Sequence, residues 1–145
     1  MRILIDGDSC PVINEAFETG RAAGVEVIMF CSYAHFSPER KGQIILVDSA
    51  FQSVDMAIAN RLCPKDILVT DDIGLAAIAL GKGAAAVSSR GVVFEDQNID
   101  QALYQRYLSA KARRAGRRTK GPSKLLQADR KVFQEILFSL LHRTE

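Results

Sequence analysis

The sequence predicts an α/β protein with three layers, α/β/α, around a mostly parallel central sheet of about five strands. Two observations lead there. Short apolar runs at residues 2–6, 25–31, 43–48, 67–70 and 84–88 alternate with segments of helical character, and strands that alternate with helices join through right-handed βαβ crossovers. The runs are apolar almost throughout, the pattern of strands covered on both faces. A third observation concerns function. The first run stops at Asp6 with Asp8 two residues on, the third at Asp48, and the fourth at Asp71-Asp72. In an open parallel sheet, ligands bind in the crevice outside the carboxyl ends of the strands, so these acids can converge there.

Residues 2–6 read as a buried strand. A helix follows over 12–23, with Pro11 suited to the N1 position, Asp8 near enough to help cap it, and Gly24 as its C-terminal cap. Residues 25–31 form the second strand. Ser37-Pro38 and Gly42 mark 32–43 as a loop, and 43–48 form the third strand. Asp48 with Ser49 is placed to cap the next helix, 51–62, which Pro64 ends. The fourth strand, 67–70, leads into a short helix, 73–80, closed by Gly81. Residues 84–88 give a weak fifth strand, and 98–110 a helix started by Asn98. Ser123 is the expected cap of a last helix, in which Leu125, Leu126, Val132, Phe133, Ile136, Leu137, Leu140 and Leu141 mostly recur at helical spacing.

At 145 residues, 48% hydrophobic and 25% charged, the chain suits one globular domain. No apolar stretch is long enough to span a bilayer. The chain opens directly on a strand-like run, without the basic segment and apolar core of a signal peptide, so cytoplasmic residence is expected. Cys10, Cys31 and Cys63 are widely separated, and the two histidines are His35 and His142. That argues against structural zinc and a disulfide framework. Charge is uneven: residues 1–110 carry 9 basic and 14 acidic side chains, while 111–131 carry 9 and 1. The expected organisation is an α/β domain over 1–110, a basic flexible connection over 111–124, and a C-terminal helix over 125–145 packed on the same domain.

Among the acids, Asp6 closes a buried strand, where packing gives a carboxylate little reason to be. A turn Asp that accepts backbone N–H groups is the plainer reading. Asp55 shares a helical stripe with Phe51 and Ala59. If buried, it needs a metal, a base or a cavity to meet it. If the helix starts at Ser53, it is a first-turn acid favoured by the helix dipole. One of Asp71 and Asp72 is expected to cap the next helix, which leaves the other for the crevice; Asp72 is the preferred ligand and Asp71 the second. Clustered carboxylates repel one another unless a cation joins them, and hard divalent ions prefer oxygen ligands. Cys10, near a helix start, has no base close to it in sequence, so packing is its expected role. The basic residues Lys111, Arg113, Arg114, Arg117, Arg118 and Lys120 read either as a solvated linker or as an arm that contacts phosphates.

These motifs resemble a known family. Ile3-Leu4-Ile5-Asp6-Gly7-Asp8-Ser9-Cys10-Pro11 resembles the D-A-D-A-C-P opening of the YaiI/YqxD family of uncharacterised bacterial proteins. The resemblance continues at Val54-Asp55, at Ile67-Leu68-Val69-Thr70-Asp71-Asp72-Ile73 with Leu75-Ala76, at Arg90-Gly91, Asn98-Ile99, Gly121-Pro122 and Asp129-Arg130. It covers nearly the whole chain. The family looks PIN-like, which implies a parallel sheet and a ring of carboxylates that bind Mg²⁺ or Mn²⁺ to cut RNA. By that resemblance Asp6 is the first-strand acid, Asp8 the second opening acid, Asp55 the helical acid and Asp72 the acid of the T-x-D element. Asp71 stands where the family often has a small residue, and Lys124-Leu125 replaces a common Pro-Phe pair.

The function expected first is therefore a metal-dependent ribonuclease. Asp6, Asp8, Asp55 and Asp72 would carry catalysis, and Asp6, Asp55, Asp72 and Asp71 would bind Mg²⁺ or Mn²⁺. The basic segment would hold the RNA. A phosphohydrolase of the haloacid-dehalogenase type is the alternative enzyme, because Asp6-Gly7-Asp8 resembles its nucleophile and acid pair. The chain is short for that class and lacks convincing intervening Ser/Thr and Lys motifs. The third reading is a non-catalytic module that binds RNA through its basic tail.

Overall fold

Strand β1 (Arg2–Asp6) is the centre of a five-stranded sheet in the computed structural model, which describes residues 1–40, 42–117 and 124–143. The other strands are β2 (Glu26–Ser32), β3 (Gln43–Val47), β4 (Ile67–Val69) and β5 (Ala85–Val87). Their order is β3-β2-β1-β4-β5, and every neighbouring pair is parallel. Successive side chains of a strand point to opposite faces, and both faces are covered. Ile3, Ile5, Met29, Val69 and Val87 pack against α1 (Ile13–Ala22) and α5 (Gln127–Leu141) through Phe17, Phe133 and Leu137. Leu4, Ile28, Phe30, Leu68 and Ala86 pack against α2 (Val54–Arg61), α3 (Ile73–Gly81) and α4 (Asp96–Arg114) through Ile58, Leu75 and Ile99. This is the predicted three-layer α/β/α fold, and its sheet is wholly parallel.

Several element ends differ from the sequence reading, each for a local reason. Helix α1 starts at Ile13, so Pro11 precedes the helix instead of opening it. Gly24 does end it, at φ 69°, with the Val25 N–H donating to the Gly20 carbonyl at 2.9 Å. The Asp48 carboxylate accepts from the Ala50 N–H at 3.0 Å and so closes a turn; the cap of α2 is Ser53, whose Oγ accepts from the Met56 N–H at 3.1 Å. Helix α4 begins before Asn98, which instead accepts the Glu95 N–H at 2.8 Å from within the first turn.

Helix α4 also runs past residue 110 to Arg114. Lys, Arg and Ala are strong helix formers, so Lys111, Arg113 and Arg114 lie on its last turns and not in a flexible connection. Gly116, at φ 81°, follows its end. Ser123, expected as a cap, lies outside the described residues with Arg118 and Lys120. Helix α5 packs against α1 and the sheet, with Phe133 and Leu137 fully buried. No described helix is long and apolar enough to cross a membrane.

Candidate functional site

The strand order reverses between β1 and β4. From β1 the chain passes through α1 to β2 on one side, and from β3 through α2 to β4 on the other. The crevice outside the carboxyl ends of such a pair is where this kind of sheet binds ligands. Asp6 is the last residue of β1 and is only 2% exposed. Its Oδ2 accepts from Ser9 Oγ at 2.6 Å and from Thr70 Oγ1 at 2.8 Å. Thr70 Oγ1 in turn accepts the Asp72 N–H at 3.0 Å, so one buried hydroxyl ties the two strand ends together. Burial raises the Asp6 pKa. The two hydroxyls oppose the rise, and the charges of Asp72 and Asp8 add to it.

Asp72 caps α3, its Oδ1 accepting the Gly74 N–H at 2.9 Å and the Leu75 N–H at 3.3 Å. Asp55 stands in the first turn of α2 behind its Ser53 cap. It is exposed, not buried as one reading required, yet its carboxyl meets Asp72. Partial desolvation, then the charge of Asp72, a hydrogen bond shared with it and the charge of Asp6 push the Asp55 pKa up to about 6, with Arg106 opposing. An acid whose pKa is raised in the fold binds its proton more tightly there than in the unfolded chain. Its contribution to stability therefore falls as pH rises from about 4 through about 6 and stays reduced above. Asp55→Asn is expected to gain melting temperature over the wild type across that window, in EDTA, and to keep the gain at higher pH. Parallel melting curves would show that Asp55 and Asp72 do not meet.

The remaining candidates are placed differently. Both oxygens of Asp71 accept from Ser89, Oδ1 from its N–H and Oδ2 from its hydroxyl, each at 2.8 Å. Asp71 thus fastens the end of β4 to the segment after β5. Asp8 does not cap α1. Its Oδ1 accepts the Ser32 N–H at 3.0 Å and lies 3.0 Å from His35 Nδ1, at the end of β2. Burial pushes the Cys10 thiol up to about 12, which suits packing and not nucleophilic attack. Among the described residues, no group of three or more His, Cys, Asp or Glu side chains forms a metal-binding cluster.

Two contributors escaped the sequence reading. Ser9 was not singled out. Arg106, on α4, has Nη1 3.6 Å from Asp72 Oδ1. Its signal in the sequence is slight: it is the lone charge between Gln101 and Ala110. Seven residues on, Arg113 returns to the same helix face, so part of the basic segment lies along the element that reaches the crevice.

Fold and site together define a parallel α/β protein with carboxylates gathered at its topological switch point. The chain belongs to the YaiI/YqxD family: residues 4–143 match the family described as "Uncharacterized BCR, YaiI/YqxD family". A UPF0178 protein of Clostridium kluyveri is 43% identical over 141 residues, 97% of this chain and 93% of its own length. One from Clostridium novyi is 41% identical over 145 residues, 100% of this chain and 97% of its own, and one from Bacillus cytotoxicus is 40% identical over 140 residues, 97% and 92%. A solved structure, of a mutant of Rae1 (YacP) from Bacillus subtilis, aligns over 100% of both chains with a TM-score of 0.48 and 15% identity. That likeness is too remote for any residue to be carried across.

Proposed function

We propose that this protein is a nuclease that acts on RNA with the help of a divalent cation, in the manner of PIN-like enzymes. The observation that carries this reading is that Thr70 joins Asp6 to Asp72 at the switch point, with Asp55 near enough that partial desolvation and its acidic neighbours raise its pKa to about 6. Such crowding has a chemical purpose if a cation is to be taken up. The donor set is carboxylate oxygen alone, which fits Mg²⁺ or Mn²⁺ and not a softer metal. Among the described residues, both hydrogen bonds to Asp6 end on Oδ2 and both backbone bonds to Asp72 on Oδ1. Asp6 therefore uses one oxygen for the fold and keeps the other for a ligand, while Asp72 also interacts with Asp55 and Arg106. An ion held there would lower the pKa of an attacking water and offset the charge developing on phosphate.

The protein's own residues divide the remaining work. Ser9 and Thr70 orient Asp6, while Asp71 and Asp8 brace the crevice rim through Ser89, Ser32 and His35. Lys111, Arg113 and Arg114 on α4, and Arg117 beyond it, supply cations for the RNA backbone. The phosphohydrolase alternative fits less well, because it needs Asp6 free to attack and Asp8 beside it. Asp6 is buried under two hydroxyls, and Asp8 is engaged at the end of β2.

Purified protein is expected to cleave mixed RNA in Mn²⁺ and to stop in EDTA. Mn²⁺ alone is expected to stabilise the fold, by about 2.7 kcal/mol at a hundred times its Kd, read as a rise in melting temperature. A module that binds RNA through its basic residues without catalysis would bind RNA in EDTA and show neither effect.

A further inference from the structure

We propose that Arg106 is the resident counter-cation of the carboxylate crevice: it takes the place of a divalent ion beside Asp72 and, when an ion enters, turns to a phosphate of the substrate. The proposal rests on the metal-dependent nuclease reading above. Arg106 Nη1 lies 3.6 Å from Asp72 Oδ1, a distance of ionic attraction and not of a hydrogen bond. The side chain is 58% exposed, so it can leave without unpacking anything. It sits over the first turn of α3, where position 74 has no side chain. A Cβ on Gly74 would stand 3.3 Å from Asp72 Oδ1 and 3.5 Å from Arg106 Nη1. With Ser9, Asp71, Asp72 and Ile73, Arg106 lines a recess of about 280 Å³ at the crevice mouth.

A structural brace is a poor account of this contact. A loose, exposed ion pair holds little, and α4 is already fixed by buried Ile99, by packing on α3 and by the Glu95–Asn98 bond at its start. The contact has a clearer electrostatic role. Arg106 sets its positive charge against the Asp72 carboxylate, which Thr70 ties to Asp6. A divalent ion does the same with twice the charge, so ion and guanidinium compete for one place. A displaced guanidinium stays charged at any physiological pH and offers a planar fork suited to phosphate. The face it shares with Arg113 points it along the same cationic track, about 10 Å of helix away.

Arg106→Ala and Arg106→Lys test this by calorimetric titration with Mn²⁺ alone. A second measurement is the anisotropy of a short fluorescein-labelled oligo(U) with phosphorothioate linkages, in EDTA and in Mn²⁺. Arg106→Ala is expected to bind Mn²⁺ about two- to five-fold tighter than the wild type, the range of one exposed ion pair. Arg106→Lys, which keeps the charge, is expected to stay near the wild type. In Mn²⁺ the oligo(U) affinity of Arg106→Ala is expected to fall about five-fold, whereas in EDTA, where Arg106 is shared with Asp72, the loss should be smaller. Equal Mn²⁺ affinity in wild type and Arg106→Ala would overturn the exchange while leaving the metal site standing. An oligo(U) loss of the same size in EDTA and in Mn²⁺ would also overturn it. If neither protein binds Mn²⁺, the exchange and the nuclease reading fall together.

Discussion

Asp6→Asn is expected to lower Mn²⁺-dependent RNA cleavage by about 10²–10³-fold, the several kcal/mol that metal charge supplies, and to leave the fold nearly intact. The two effects separate because Asp6 has two tasks. Its Oδ2 accepts the hydroxyls of Ser9 and Thr70, and the Asn carbonyl oxygen can accept the same two bonds. What Asn cannot supply is negative charge toward a cation. Its neutral side chain even removes the penalty that burial and the charges of Asp72 and Asp8 place on the buried carboxylate. Asp6→Ala is the informative contrast. It leaves the fully buried Thr70 hydroxyl without this acceptor and is expected to cost about 1–3 kcal/mol of stability. Cleavage assays with thermal melts of both variants check the pair. An Asn variant that cleaves as well as the wild type removes Asp6 from the metal site.

The sheet was legible because its strands are buried on both faces. Runs such as Ile3-Leu4-Ile5 and Ile67-Leu68-Val69 have no polar alternation to confuse them with surface strands, and helices between them fix parallel crossovers. Asp6 and Asp72 were legible for a related reason, since Asp6 follows directly on such a run and Asp72 comes after one with only Thr70 and Asp71 between. Side-chain direction was not legible. Asp8 and Asp71 sit at the same strand ends, yet Asp8 turns to Ser32 at the end of β2 and His35 beyond it, and Asp71 to Ser89 beyond β5. Those partners are distant in sequence and come near only through sheet order. Arg106 was hidden by the same fact, because its contact with Asp72 depends on α4 lying against α3. The end of α4 was misread because Gly and Pro further along the basic run outweighed the helix propensity of Lys111 to Arg114. Asp55 combined two readings that had seemed exclusive: it is a first-turn acid behind Ser53, and it also meets Asp72.

Gly7→Ala is expected to be strongly destabilising, at about 3 kcal/mol and roughly 10 °C of melting temperature. A Cβ on residue 7 would stand 2.7 Å from the Phe30 carbonyl oxygen and 3.0 Å from both Cys31 Cβ and Met29 Cγ. None of these can easily give way. The Phe30 carbonyl already accepts the Gly7 N–H at 2.8 Å, and Met29 and Cys31 are buried in the sheet's α1/α5 layer. Room for the methyl comes only if the end of β1 lifts from β2, which breaks that hydrogen bond and disturbs the Asp6–Phe30 register. The same lift carries Asp6 away from Thr70, so Mn²⁺ affinity is expected to fall along with stability. Gly81→Ala is the control: a Cβ there meets nothing within 4 Å, and Ala favours the helix end by up to about 1 kcal/mol. Melts of the two variants with Mn²⁺ titrations separate strain at the strand end from any general effect of losing a glycine. A Gly7→Ala protein as stable as Gly81→Ala would mean that β1 and β2 do not approach this closely, and that Asp6 is not held where the site requires it.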